Sequence, residues 1–285
     1  MSGYTMMHEH MHLDLSSIKK NPDTCLDCYQ QTLEELKELK KRGVERIAEV
    51  TNIGMGRDLE YIDRLEIESG IHFVRSTGFY KDPFIPKEFS EADPAQLADR
   101  MIKEIEDGTA GMIGEFGTSK DKWTQNEQKM FKAAVLAHKA TGAPVYTHTT
   151  LSTLAREQAR YLTEHGVDPD KVVIGHVDLA GNLQLILDVL SYGVNVGFDT
   201  VGKNNYLPDE KRVEMIVELE KRGLTDHVVL SEDITRKSQL KAFGGIGYTY
   251  LFDEFLPMLR QAGIKESTID QMLTKNPDRI LGGCS

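Results

Sequence analysis

From residue 29 onward the apolar positions recur first at helical spacing and then at strand spacing, again and again. YQQTLEELKELKKRG has its leucines three to four residues apart and stops at Gly43, which predicts an amphipathic helix. VERIAEVT follows as a short β-rich run. The pattern then repeats as DLEYIDRLEIESG and IHFVRSTGF, DPAQLADRMIKEIEDG and GMIGEFG, TQNEQKMFKAAVLAHKATG and APVYTHT, LSTLAREQARYLTEHG and KVVIGHV. NLQLILDVLSYG, VNVGFDT, PDEKRVEMIVELEKRG and HVVLSED continue it, and YTYLFDEFLPMLRQAG and ESTIDQMLTKN are helical again. With the opening MHEHMH as the first strand, eight strands are predicted, nearly all followed by a helix. Glycines at the predicted helix ends (Gly43, Gly70, Gly108, Gly142, Gly166, Gly193, Gly223) suit left-handed C-caps. Eight β/α units of this length fit an α/β fold, a single TIM (β/α)8 barrel over residues 1–285 with its site at the C-terminal rim of the strands. A doubly wound open sheet is the alternative, but no G-x-G-x-x-G turn opens any helix.

Composition narrows the partners. A net charge of -11 argues against a nucleic-acid or membrane-surface binder, which would usually carry a basic patch. No run approaches the roughly 18 apolar residues of a membrane span. The first residues lack the basic and apolar regions of a secretory signal, so a cytoplasmic location is expected. Cys25 and Cys28 form one C-x-x-C pair and Cys284 stands alone in the tail. With no second pair, reduced loop thiols are a better reading than a zinc or redox site.

The opening MHEHMHLDL is the most unusual stretch. In a strand, residues two apart face the same way, so His8, His10 and His12 point together, with Asp14 beyond. Four further polar residues end predicted strands: Glu115 on the fourth, His148 on the fifth, His176 on the sixth and Asp233 on the eighth. Alternation places Ile113 below Glu115, Ile174 below His176, and Val229 and Ser231 below Asp233, so all are expected to face inward. Six inward polar groups without partners would each carry a desolvation penalty. Two divalent cations, Zn²⁺ first and Mn²⁺ or Co²⁺ as alternatives, would satisfy His8, His10, Glu115, His148, His176 and Asp233 together. A buried hydrogen-bond network among the same side chains is the competing explanation. His12 reads as a loop residue past the strand tip, while His72, His138, His165 and His227 fall at helix ends or at the far ends of strands. Trp123, just before the fourth predicted helix, has no functional account.

GYTMMHEH, IGEFGTS, VYTHT, IGHVD and LSEDITRKS, in this order and spacing, resemble the phosphotriesterase-related family of the amidohydrolase superfamily, closest to its short bacterial homology proteins. The resemblance covers nearly the whole chain. It implies a barrel in which His8, His10 and Asp233 hold a buried metal, His148 and His176 hold a more exposed one, and a residue of the fourth strand joins the two. The family's best-known members use a carboxylated lysine there. This chain has Glu115, a shorter carboxylate, and the nearest lysine, Lys120, lies beyond the strand. TatD-type nucleases share the ligand order, glutamate included, and a metal-binding barrel without catalysis is a further alternative. The resemblance implies hydrolysis of a lactone or ester by metal-activated water, with Asp233 as the catalytic proton acceptor. In the loops after strands seven and eight, Lys203, Tyr206, Arg236, Lys237 and Tyr248 are expected to contact a small-molecule substrate, such as a phosphorylated sugar lactone. Relatives of this kind are often dimers, so a homodimer is an expected assembly.

Overall fold

The structure, a computed structural model, describes residues 3–282. Cys284 lies outside them. Eight parallel strands form one sheet in chain order: β1 (Tyr4–Glu9), β2 (Val44–Glu49), β3 (His72–Thr77), β4 (Met112–Thr118), β5 (Val145–Thr149), β6 (Val172–Ile174), β7 (Asn195–Phe198) and β8 (Val228–Leu230). Helices α1 (Tyr29–Lys41), α2 (Leu59–Ser69), α3 (Pro94–Glu106), α4 (Gln125–Thr141), α5 (Ala155–Glu164), α6 (Leu183–Leu190), α7 (Asp209–Lys221) and α8 (Leu256–Gln261) alternate with them. This is the expected TIM barrel.

Local chemistry sets the helix ends. Asp93 and Thr124 begin α3 and α4 with reciprocal capping boxes to Gln96 and Glu127, satisfying N–H groups that a first turn leaves unpaired. Gly70 and Gly142 end α2 and α4 in the left-handed conformation, as their positions predicted. An antiparallel pair, Leu13–Asp14 with Cys25–Leu26, fills the loop after β1. Trp123 packs edge-on against Phe131 and Tyr161, so its role is in the shell between α4 and α5.

Inside the barrel, Met7, Ala48, Val50, Met112, Tyr146, Val173 and Val229 make a small cluster, against which Ile280 packs from the C-terminal helix. Ile113 and Ile174, expected to face inward, instead join the larger cluster between strands and helices, alongside Phe131 and Leu162. Strict alternation therefore fails on two of the strands that carry site residues. A register shift between Ile113 and Phe116 carries Glu115 to the inner side of β4. On the sixth strand regular pairing ends at Ile174, and His176 adopts a left-handed conformation with φ 57°.

The seam between β1 and β8 is closed by side chains. The His8 amide donates to Ser231 Oγ at 3.0 Å, and Ser231 Oγ donates to Glu9 Oε1 at 2.8 Å. The same Glu9 carboxylate accepts the backbone N–H groups of Glu232, Asp233 and Ile234 at 2.7, 3.2 and 3.0 Å. It holds the segment that ends β8, and with it Asp233, against the histidine strand.

Candidate metal centre

The side chains of His8, His10, Glu115, His148, His176 and Asp233 converge at the C-terminal rim. His8 Nε2 lies 3.6 Å from Asp233 Oδ1, and His10 Nε2 lies 3.4 Å from the same oxygen. Glu115 reaches both halves of the site. Its Oε1 is 3.5 Å from His10 Nε2, while its Oε2 is 3.5 Å from His8 Nε2, 3.5 Å from His176 Nε2 and 3.1 Å from His148 Nδ1. Two groupings of donor atoms are compact enough for an ion: His8, His10 and Asp233, and His8, Glu115 and His176. His148 stands just outside the second, its ring edge-on to His176 with centroids 4.7 Å apart.

Partners beyond these donors orient them. His10 Nδ1 meets Thr51 Oγ1 at 2.8 Å, which leaves Nε2 toward the carboxylates. Asp199, on the residue after β7, was not singled out from the sequence. It accepts from the His176 backbone N–H at 2.9 Å, from His176 Nδ1 at 2.8 Å and from the Tyr146 hydroxyl at 2.7 Å. A Cβ at Gly197 would sit 2.3 Å from Asp199 Oδ2 and 2.5 Å from the Tyr146 hydroxyl, so glycine leaves the space that this pair needs. The fragment VNVGFDT carried the signal, an aspartate at a strand tip, but nothing in it names its histidine partner.

The electrostatics divide the four imidazoles: burial favours the neutral form of His8 and His148, whereas neighbouring carboxylates favour the charged form of His10 and His176. Burial pushes His8 below its ordinary range and His148 down to about 4. Burial would lower His10 as well, but the nearby Asp233 and Glu115 carboxylates outweigh it and raise the group to about 9. Burial acts to raise Asp233, and the Lys203 ammonium and the histidines overcome that, holding the carboxylate ionised.

Whether these side chains suit metal ions is answered by their unpartnered atoms. Among the described residues, both ring nitrogens of His8 and Nε2 of His10 are buried without a hydrogen-bond partner, an expensive arrangement for polar atoms. A competing hydrogen-bond network would have paired them. Borderline nitrogen donors with two carboxylates are a set that zinc and similar divalent ions accept.

Several sequence expectations about the substrate loops need correcting. Tyr248 is fully buried and donates its hydroxyl to the His10 carbonyl at 2.6 Å, so it supports the histidine strand from below. Lys237 pairs with Asp27 at 2.6 Å and does not line the cleft. Lys203 lines the cleft, but its ammonium is engaged by Asp233 Oδ2. Half-buried Arg236 and exposed Tyr206 also line the cleft. His12 is a loop residue, its Nδ1 2.6 Å from the Gly56 carbonyl and its ring packed on Tyr61.

The model of the Phosphotriesterase family matches residues 1–281. The chain belongs to the phosphotriesterase family. Over 98% of both chains it is 47% identical to the phosphotriesterase homology protein of Escherichia coli K12. The crystal structure of that E. coli protein, described as complexed with phosphate in the active site, superposes with a TM-score of 0.96 over 98% of this chain and 99% of that one. A Saccharolobus solfataricus aryldialkylphosphatase is 29% identical over 98% of this chain and 94% of its own length. A lactonase from Listeria monocytogenes aligns with a TM-score of 0.92 at 25% identity, covering all of this chain and 96% of that one. Family members thus include hydrolases of different ester-like substrates. No helix among the described residues is long and apolar enough to cross a membrane.

Proposed function

We propose that this phosphotriesterase-family chain is a metal-dependent hydrolase that cleaves a lactone or a carboxylic or phosphoric ester. The observation that carries this reading is the convergence of four imidazoles and two carboxylates, among which both ring nitrogens of His8 and Nε2 of His10 are buried without a hydrogen-bond partner among the described residues. His8, His10 and Asp233 would hold one divalent ion, His148 and His176 the other, with Glu115 reaching both and zinc, manganese or cobalt as the candidates. When bound, such ions lower the pKa of water from about 15.7 to near 7 and polarise a carbonyl or phosphoryl oxygen.

The chain's own residues supply the rest. Asp233 is the proton acceptor for the attacking water, and Lys203 fixes its second oxygen and keeps it charged. Leu13, Leu15, Met55 and Phe84 wall the cleft on the side of the first loops and keep bulk water from the reacting bond. The Tyr80 hydroxyl, 3.3 Å from both ring nitrogens of His148, adds a polar group to this wall. A cleft of about 240 Å³ suits a small molecule. The free thiols of Cys25 and Cys28 fit a reducing, cytoplasmic setting.

Metal analysis of the purified protein, joined to a panel of lactones, carboxylic esters, phosphotriesters and single-stranded DNA, tests the reading. Turnover of an ester or lactone that chelation abolishes and added zinc or manganese restores is the expected result. Bound metal with cleavage of DNA alone, or with no turnover anywhere on the panel, would overturn it.

A further inference from the structure

Arg212 is the largest fully buried side chain among the described residues, and it does not line the cleft. It stands in the first turn of α7, yet its guanidinium binds two separate loops. Nε donates to Asp178 Oδ2 at 2.6 Å, in the turn Val177–Ala180 that begins immediately after His176. Nη1 donates to the Leu207 carbonyl at 2.5 Å and to Asp209 Oδ1 at 2.8 Å, and Nη2 donates to Thr200 Oγ1 at 2.9 Å. The Thr200 hydroxyl in turn donates to Asp178 Oδ2, which closes a ring of bonds across the two loops. Asp209 extends the hold, because both of its oxygens accept the Gly202 N–H at 3.2 Å. Thr200, Gly202, Leu207 and Asp209 bracket Lys203 on both sides. A lysine side chain is long and rotamer-rich, so the place its ammonium reaches depends on how firmly its backbone is held. A buried ion pair of this kind adds little stability over apolar packing of the same volume, but the flat guanidinium fork fixes directions that apolar contacts leave loose.

We propose that Arg212 is a positioning residue for the reaction: it holds the loop after β7 so that the Lys203 ammonium meets Asp233 Oδ2, and it ties that loop to the turn beside His176. This rests on the hydrolase reading above, in which Asp233 takes the proton of the attacking water with Lys203 fixing its second oxygen. It deepens that reading by tracing the placement of Lys203 to a residue that touches neither the cleft nor any of the six candidate ligands. With the fork lost, the loop shifts, Lys203 leaves Oδ2, and Asp233 is free to turn away from the water. The loss therefore falls on turnover, not on substrate binding.

The test is a double-mutant cycle in the metal-loaded protein. Arg212→Lys keeps the charge and loses the fork, and Asp209→Asn keeps the shape and weakens one of its acceptors. Each is made in the wild type and in Lys203→Met, with kcat and KM measured on p-nitrophenyl butyrate and stability by urea unfolding. In the wild type either variant should lower kcat by about five- to ten-fold with KM within about two-fold, because a misplaced Lys203 acts on the chemical step. In Lys203→Met the same substitutions should lower kcat by less than about two-fold, while the shift in urea midpoint is the same in both backgrounds. A merely structural role would change stability alone, or give kcat losses that multiply. Multiplying losses, or an unchanged kcat in both variants, would overturn the proposal. Amide hydrogen exchange separates this result from the hydrolase reading: residues 200–208 should exchange about ten-fold faster in Arg212→Lys, with β7 unchanged. If no ester is cleaved, the hydrolase reading fails and exchange alone decides whether Arg212 holds the loop; equal exchange then counts against it. Should Arg212→Lys fail to fold, Asp209→Asn carries both measurements.

Discussion

Asp199 offers the sharpest test of how the site is held. Its carboxylate accepts from the Nδ1 of His176 at 2.8 Å, and that bond fixes the ring's proton on Nδ1. The lone pair of Nε2 is then directed into the site, where Glu115 Oε2 lies 3.5 Å away. Asp199→Asn keeps the shape but turns one acceptor into an N–H donor. That donor faces either the His176 ring or its backbone N–H, which now reaches both carboxylate oxygens at 2.9 and 3.2 Å. The ring's better response is to shift its proton to Nε2, which removes the lone pair a metal would use. Loss of such an orienting partner typically lowers metal affinity or activity about 10- to 100-fold, or about 1.4–2.7 kcal/mol. Chelator competition gives the affinity of the weaker metal site, and kcat/KM at saturating metal gives the remainder. Tyr146→Phe removes a different hydrogen bond to the same carboxylate, at 2.7 Å, and should reduce stability by about 1 kcal/mol without that metal loss. An Asp199→Asn protein with metal affinity and kcat/KM both at wild-type levels would refute the tautomer argument.

Other consequences are open to simple measurement. Lys203→Met should lower kcat by an order of magnitude or more while metal content stays near wild type, because the lysine touches Asp233 Oδ2 and not the histidine-facing Oδ1; proportional loss of metal and kcat would contradict this. Tyr248→Phe should leave KM for every substrate unchanged and reduce stability by about 0.5–1.5 kcal/mol, measured by urea unfolding, since its hydroxyl bonds the His10 carbonyl deep in the fold. Glu104 forms two-pronged contacts with Arg57 at 2.9 and 3.0 Å, and although burial acts to raise its pKa, the guanidinium holds it below the ordinary 4.5. A depressed carboxylate contributes stability above its unfolded value that is lost as pH falls through its folded value. Glu104→Gln should therefore lower stability at neutral pH by about 3 kcal/mol and flatten the decline in unfolding midpoint below about pH 4.5; an unchanged acid limb would count against it.

Much of this protein is legible in its sequence because the relevant rules are local. Helical spacing against short β runs, capping residues such as Asp93 and Thr124, and glycines past the helix ends act over a few neighbours, so the eight-fold repeat and the parallel barrel follow from the chain alone. The residues gathered at the rim were legible too, since His8, His10, His148, His176 and Asp233 stand near or just past strand ends, with Glu115 in the middle of β4, and a barrel of parallel strands brings all its strand ends to one side. How those side chains turn inward was not. Two-residue alternation put Ile113 and Ile174 inside, whereas a register shift in β4 and the left-handed backbone at His176 decide the direction. Partner choice was equally out of reach. Lys203, Lys237, Lys19 and Lys81 are alike in sequence, but one meets Asp233, one meets Asp27, and two lie over the ring of Phe84. A lysine's role depends on which carboxylate a distant segment places within a few ångströms, and only the folded chain sets that distance.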